Sequence, residues 1–133
     1  MIVDSSAVIA ILNGEPESAE FSQAMESAEV LRISAASYLE SSIVADGYRN
    51  PKLSARFDEF MSIPKLVIEP VTAEQARIAR QAYRDYGRAS GHAANLNFGD
   101  CFSYALARAK REPILFKGDD FVHTDLRSAL PAS

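Results

Sequence analysis

Short apolar runs alternate with longer amphipathic segments along the whole chain. Four of the short runs have the character of buried strands, and they cover residues 1–3, 30–33, 66–68 and 113–116. The segments between them repeat apolar side chains at helical spacing, and capping residues precede several of them. Strands that alternate with helices predict an α/β domain whose parallel sheet of about four strands is covered on both faces.

The helices have predictable bounds. They are expected over residues 5–12, from residue 15 onward, and over residues 34–44, 51–61, 72–87 and 100–110, with an ordered loop over 87–99. In the third helix, Glu40 lies three and four residues before Ile43 and Val44, so the three side chains share one face. Because this face is apolar apart from Glu40, we expect it to be buried.

Charge and composition narrow the classes of protein. The 133 residues fit one domain over 1–133, and a formal net charge of −4 means that any nucleic-acid contact needs a local basic patch. A single cysteine, Cys101, excludes a disulfide framework and fits a reducing cytosol. The opening segment has no basic n-region, and its apolar run is shorter than a membrane span. We therefore expect a cytoplasmic protein without membrane contact.

Carboxylates stand where α/β proteins bind their ligands. Asp4 directly follows the first strand, Asp119 and Asp120 follow the last, and Asp100 begins a helix. Each has an ordinary alternative, because Asp is a good helix N-cap and Gly-Asp is common in turns. For Glu40 the alternative is a carboxylate that reaches solvent or pairs with an arginine.

These acids converge if the first and last strands are neighbours. Clustered carboxylates repel one another unless a cation neutralises them, and hard oxygen ligands select Mg²⁺ or Mn²⁺. The softer ligands His92, His123 and Cys101 match no zinc spacing. An acid cluster that holds a hard cation indicates phosphodiester or other phosphoryl chemistry.

Four segments around these acids resemble the PIN-domain ribonucleases, and specifically the VapC-type toxins of bacterial toxin–antitoxin pairs. They are MIVDSSAVIAIL, AASYLESSIV, LNFGDCFSYALA and ILFKGDDFVHTDL. They follow the family order over nearly the whole chain, and the last two are the more specific. The resemblance implies a three-layer α/β/α fold, a pocket of acids that binds Mg²⁺ or Mn²⁺, cleavage of RNA, and a small VapB-like antitoxin as partner.

Carried over by position, the resemblance assigns metal binding and catalysis to Asp4, Glu40, Asp100 and a fourth acid. Asp119 is favoured as the fourth acid, and Asp120 is the alternative. Asp4 and Asp100 would bind the metal directly, and Glu40 would complete the shell, directly or through water, and orient the attacking water. The expected activity is that of a metal-dependent endoribonuclease. Asp125 is a more distant candidate for the fourth acid.

Substrate contacts are expected from hydroxyls beside the acids and from one basic helix face. Ser5 and Ser103 are candidates for hydrogen bonds to substrate, and helix capping is their alternative. Arg77, Arg80, Arg84 and Arg88 fall within one arc of about 80° on the fifth helix, where they are available to phosphates. The alternative is an ordinary solvated helix face.

The remaining apolar residues are divided between a core and a partner surface. Phe98, Phe102 and Tyr104 are expected to pack in the core, with base stacking by an exposed ring as the alternative. The apolar faces of the first two helices and of residues 53–61 exceed what one core can hide. This surplus suits an antitoxin groove or a homodimer interface, and the sequence does not separate the two.

Three rival functions share part of this pattern. A receiver domain also gathers acids beyond strand ends and uses a late lysine, here Lys117, but it needs paired acids where Asp4 is followed by serines. A phosphatase of the Asp-x-Asp kind fails at Ser6 for the same reason. The alternative from a different class is a non-catalytic domain that only binds RNA or a protein partner.

Overall fold

Four parallel strands form one sheet in the computed structural model, which describes residues 1–131. The strands are β1 (Ile2–Val3), β2 (Leu31–Ser34), β3 (Leu66–Glu69) and β4 (Ile114–Leu115), in the spatial order β3-β2-β1-β4. Every pairing is parallel, so the carboxyl ends of all four strands meet at one edge. The predicted α/β class is confirmed, and β1 and β4 are neighbours. The expected domain end at residue 133 lies outside the described residues.

Six helices connect and cover the strands. They are α1 (Ser5–Leu12), α2 (Ser18–Ser27), α3 (Ala35–Gly47), α4 (Pro51–Met61), α5 (Ala73–Tyr86) and α6 (Phe98–Lys110). Two helices begin elsewhere than predicted. The second begins at Ser18, because Pro16 and the residue after it form a turn, and α6 begins at Phe98, because Asn97 and not Asp100 is its N-cap. No helix within residues 1–131 has the length and apolar character of a membrane span.

Alternating side chains of the central strands supply two separate cores. Val3 and Leu115 point into a core shared with α1 to α4, while Ile2 and Ile114 point to the opposite face, toward α5 and α6. All four side chains are fully buried. The sheet is therefore the middle of three layers, as the predicted α/β/α architecture requires.

Helix α3 presents a different face to the protein than the one predicted. Ser37, Ser41 and Ala45 are buried, whereas Ile43 is 62% exposed and Val44 is 39% exposed. The buried hydroxyls have partners, because Ser41 donates to the Ser37 carbonyl at 2.8 Å. Small side chains at a spacing of four residues let α3 lie close to α1, α4 and α6. The expectation that the apolar face around Glu40 is buried is wrong.

This orientation of α3 gives a stability prediction. Ala45→Leu should lower the free energy of unfolding by about 1–3 kcal/mol, because a larger side chain must be forced into a fully packed position. Urea denaturation followed by circular dichroism measures the change. Ile43→Leu is the matched control and should leave the midpoint unchanged within error. A larger loss for Ile43→Leu than for Ala45→Leu would contradict the observed packing.

Candidate active site

Asp4 stands at the carboxyl end of β1, where three donors hold its carboxylate. Its Oδ2 accepts hydrogen bonds from the Ser6 backbone N–H at 3.0 Å and the Ser6 hydroxyl at 2.6 Å. Its Oδ1 accepts one from the Ser103 hydroxyl at 2.5 Å. Asp4 is therefore the N-cap of α1, as its alternative interpretation proposed, and a cavity-lining carboxylate as well. Its side chain is only 2% exposed, so these donors replace the water that a charged group loses on burial.

The Ser6 hydroxyl also ties β4 to this site. It accepts a hydrogen bond from the Lys117 backbone N–H at 3.0 Å, two residues beyond the end of β4. The same hydroxyl donates to Asp4, so a single oxygen links the segments that leave β1 and β4. This hydrogen bond joins the beginning of the last loop to the beginning of α1, beside Asp4.

Asp100 lies in the first turn of α6, in a capping box with Asn97. The Asp100 N–H donates to Asn97 Oδ1 at 2.8 Å, and the Asn97 N–H donates to Asp100 Oδ2 at 3.0 Å. Burial raises the pKa of Asp100 to about 7, and the negative charges of Asp4 and Asp120 add to this, although the Asn97 N–H acts in the opposite direction. Burial first, and like charge second, therefore disfavour the ionised form of Asp100.

Glu40 reaches the same cavity from α3 although it is exposed. Its Oε1 accepts a hydrogen bond from the Ser5 hydroxyl at 2.6 Å. Its other oxygen lies directly against Gly99 in the first turn of α6, where any Cβ would overlap the carboxylate. Gly99 therefore permits the approach of α3 to α6 at the site. Sequence analysis missed Gly99, and the only available signal was a glycine inside a helix start beside an aspartate.

Asp120 and not Asp119 is the acid from the last loop that faces the cluster. Asp120 lines the cavity, is partly buried and raises the pKa of Asp100, whereas Asp119 is exposed and does not line the cavity. Asp125 lies elsewhere, because it accepts hydrogen bonds from the Tyr104 hydroxyl at 2.6 Å and the Arg108 guanidinium at 2.9 Å. The geometry therefore favours the alternative fourth acid over the preferred one.

The cavity that these acids line has a volume of about 560 Å³ and opens at the carboxyl edge of the sheet. Lys117 is the one basic side chain in its lining, and its ammonium group donates to Glu15 Oε2 at 2.7 Å. Neither histidine nor cysteine belongs to the lining. Lys117 does lie beside the acids, as a receiver domain requires, but Asp4 is followed by serines and not by the second acid of a receiver's phosphoacceptor site. Both Glu15 and the position of Lys117 were missed by the sequence-based site prediction.

The donor set is suited to a hard divalent cation. All candidate ligands are carboxylate oxygens, which Mg²⁺ and Mn²⁺ prefer and zinc does not. Within residues 1–131, no three such side chains are already close enough to share one ion. A cation bound here would keep several water ligands, as Mg²⁺ commonly does, and its charge would relieve the repulsion at Asp100.

Of the predicted substrate residues, the structure brings only the two serines to the acids. Ser103 is fully buried and bonded to Asp4 and to Ser37, so it positions a carboxylate instead of facing the cavity. Arg77, Arg80 and Arg84 are exposed on α5, outside the cavity lining. The prediction that Phe98 packs in the core is wrong, because this side chain is 77% exposed. Phe98 is the first residue of α6, and the buried face of that helix begins only at Cys101.

Comparisons with known proteins identify the family and agree with the fold. The family described as PIN domain matches residues 1–126. The chain is 56% identical over 130 residues to the VapC ribonuclease Mb0625 of Mycobacterium bovis and to ribonuclease VapC28 of Mycobacterium tuberculosis, covering 98% of each sequence. Among solved structures, the sarcin-ricin loop cleaving toxin VapC20 of M. tuberculosis superposes with a TM-score of 0.74 at 18% identity, covering 98% of both chains. A toxin–antitoxin complex from Klebsiella pneumoniae gives 0.69 at 19% identity, covering 93% of this chain and 92% of its own.

The pKa of Asp100 gives a prediction of pH dependence. Between pH 4 and pH 7 the unfolded chain has lost the Asp100 proton while the folded protein retains it, so the free energy of unfolding should fall as pH rises. The measurement is a series of urea midpoints in EDTA. Asp100→Asn, which keeps an oxygen acceptor for the Asn97 N–H, should flatten this decline. A decline of equal slope in the variant would show that another group is responsible.

Proposed function

The chain belongs to the PIN-domain family, and on that basis we propose that it is a metal-dependent endoribonuclease, the toxin of a VapBC-like toxin–antitoxin pair. The observation that carries the proposal is the convergence of Asp4, Glu40, Asp100 and Asp120 on one cavity. The relatives named VapC ribonuclease, at 56% identity over 98% of the chain, support the same activity. A cytoplasmic location, where RNA is accessible, is part of the proposal.

We assign metal binding to the four acids of this cavity. Asp4 and Asp100 are the direct ligands, and Asp120, instead of Asp119, is the fourth acid. Bound Mg²⁺ or Mn²⁺ would lower the pKa of a water molecule and stabilise negative charge on the phosphate. Glu40 is the exposed carboxylate of the set, and it orients the attacking water and accepts its proton.

Neighbouring side chains hold these carboxylates in position. Ser6 and Ser103 fix both oxygens of Asp4, and Ser5 fixes one oxygen of Glu40 and so leaves the other toward α6. The hydroxyls of Ser5, Ser6 and Ser103 are each bonded to a carboxylate. No histidine or cysteine that could act as a base lines the cavity. Direct hydrolysis by water therefore agrees better with the arrangement than a covalent intermediate on serine.

In this proposal, arginine side chains of α5 bind the phosphate backbone of the RNA. Arg77, Arg80 and Arg84 are exposed there, and none of them has an ion-pair partner within residues 1–131. Unpaired guanidinium groups on one helix face provide the local basic patch that an acidic protein needs. The carboxylates of the cavity then act on the strand that this patch holds.

The first test is cleavage of total cellular RNA by the purified chain with Mg²⁺, with Mn²⁺ and with EDTA. We expect discrete fragments that need the metal, and Asp4→Asn or Asp100→Asn should lower the rate at least about a hundredfold, because one metal ligand is lost in each. Asp120→Asn and Asp119→Asn form a matched pair, in which only the first should impair cleavage.

The outcomes separate the alternatives. Impairment by Asp119→Asn with normal cleavage by Asp120→Asn would restore Asp119 as the fourth acid. Binding of RNA that is equal in EDTA, with no fragments from folded wild type, would favour the non-catalytic binding domain. Circular dichroism of each variant shows that loss of cleavage does not come from unfolding.

We propose two protein partners, a VapB-like antitoxin and a second copy of this chain. The superposed toxin–antitoxin complex supports the first. For the second, the exposed row Leu39, Ile43 and Val44 on α3 offers apolar contact area, with exposures of 57%, 62% and 39%. Self-association through this row would bring the two acidic cavities near one interface, because Glu40 lies on the same helix.

Light scattering after size-exclusion chromatography tests the second copy. Wild type should have the mass of a dimer, and Ile43→Lys should have the mass of a monomer, because a buried unpaired ammonium group is costly at an interface. Gln81→Lys, at an exposed position of α5 far along the chain from this row, is the control for added charge. A monomeric wild type would refute the homodimer.

A further inference from the structure

A second cavity, separate from the acidic one, lies between α5 and α6. It has a volume of about 440 Å³, and its walls are mostly apolar, with Ala76, Ala79, Arg80 and Tyr83 on α5 and Phe98 and Phe102 on α6. We call it the aromatic cleft. Phe98 is 77% exposed, more than any other large hydrophobic side chain within residues 1–131. A large apolar side chain exposed at the mouth of an apolar cleft is typical of a binding site.

The Phe98 ring packs against one other aromatic ring. It meets the Phe102 ring edge-on, with centroids 4.9 Å apart and planes at 87°. Such a T-shaped pair is the favoured geometry of two aromatic rings, and it leaves a face of Phe98 free. Tyr83, on the facing helix, is 38% exposed. The cleft therefore offers a preorganised flat surface for a planar ring.

The aromatic cleft and the acidic cavity share the first turn of α6. Asn97 and Asp100 face the acidic cavity, while Phe98 and Phe102 line the aromatic cleft, and Gly99 lies between them against Glu40. The two sites are thus separated by about the width of one helix, roughly 10 Å. At this separation, a single strand with a phosphate at the carboxylates would have its adjoining nucleotide within reach of Phe98.

The positive charge of Arg80 indicates which kind of ligand the aromatic cleft binds. Arg80 belongs to its lining and has no ion-pair partner within residues 1–131, and Arg77 and Arg84 lie on the same exposed face of α5. An aromatic face beside an unpaired guanidinium group is the combination that binds single-stranded nucleic acid, the ring taking a base and the cation a phosphate. An apolar peptide segment would cover the ring and leave the guanidinium charge unmatched.

We propose that the aromatic cleft is a nucleobase subsite, in which an unpaired base next to the scissile phosphate stacks on Phe98 while Arg80 binds the adjoining phosphate. The inference rests on the proposed ribonuclease function and adds to it the part of the protein that selects a base. Phe98 is a binding residue in this assignment and takes no part in the chemistry. The substrate class is RNA with an unpaired loop or single-stranded segment.

The chain contains no tryptophan, so a single substitution creates a reporter of stacking. In the non-cleaving Asp100→Asn protein, Phe98→Trp should show quenched fluorescence when single-stranded decamers of adenylate, uridylate or cytidylate are added. Tyr48→Trp, at the far end of α3, is the control and should show no quenching. Arg80→Met in the Phe98→Trp protein should weaken the apparent affinity several-fold and reduce its salt dependence.

Cleavage provides the second measurement. Phe98→Ala should lower kcat/KM roughly fivefold to a hundredfold through KM and relax the base preference beside the mapped cleavage sites, because one stacking contact is lost. Phe98→Trp should restore both, and Tyr48→Ala should behave as wild type. Unaltered rate and base preference in Phe98→Ala, with an active wild type, would overturn the subsite and leave the ribonuclease function intact.

Further outcomes distinguish the remaining occupants. If wild type does not cleave RNA, the proposed function fails, and the quenching experiment alone decides whether the cleft binds a base. If Phe98→Ala changes a dimer into a monomer in light scattering, or abolishes antitoxin binding while its cleavage of RNA is normal, the cleft is a protein interface and the inference is wrong.

Discussion

Electrostatic repulsion among carboxylates that the parallel sheet brings to one edge is the constraint on which this site depends. Burial and like charge disfavour the ionised form of Asp100 and raise its pKa to about 7. The fold offsets part of this cost with hydroxyl and backbone donors, two of them from Ser6 to Asp4 alone. These donors orient individual oxygens, but they add no full positive charge. The positive charge of the proposed divalent cation would therefore complement the cluster.

The alternation of short apolar runs with amphipathic segments was enough to predict the layers, the parallel sheet and the edge where the acids meet. This pattern did not predict which face of α3 is buried, because serine counts as a polar residue in it. In the structure, Ser37 and Ser41 are buried and their hydroxyls are hydrogen-bonded. The choice between Asp119 and Asp120 depends on the turn after Gly118, which has a φ of 105°, and residue type does not determine which of two adjacent acids then points inward.

Contacts between residues far apart in the sequence also could not be predicted from the hydrophobic pattern. The contact of Glu40 with Gly99 joins residues from α3 and α6, and neither local sequence predicts it. The exposure of Phe98 has a similar origin, because the N-cap at Asn97 sets the first turn of α6 and directs one aromatic residue away from the core. Both features lie within three residues of Asp100, so the parts of the chain that sequence describes least well are the parts closest to the proposed chemistry.

Two of the four acids also begin helices, since Asp4 caps α1 and Asp100 completes the capping box of α6. A replacement at either position that cannot accept the hydrogen bond at the helix start therefore weakens the folded state as well as the site, whereas the side chains of Glu40 and Asp120 have no such part in a helix start. Under the proposed function, replacements at Glu40 or Asp120 would therefore more often leave a folded but inactive chain. Such a chain would still occupy the proposed antitoxin, and as a decoy it would expose its carrier to whatever active toxin is also present.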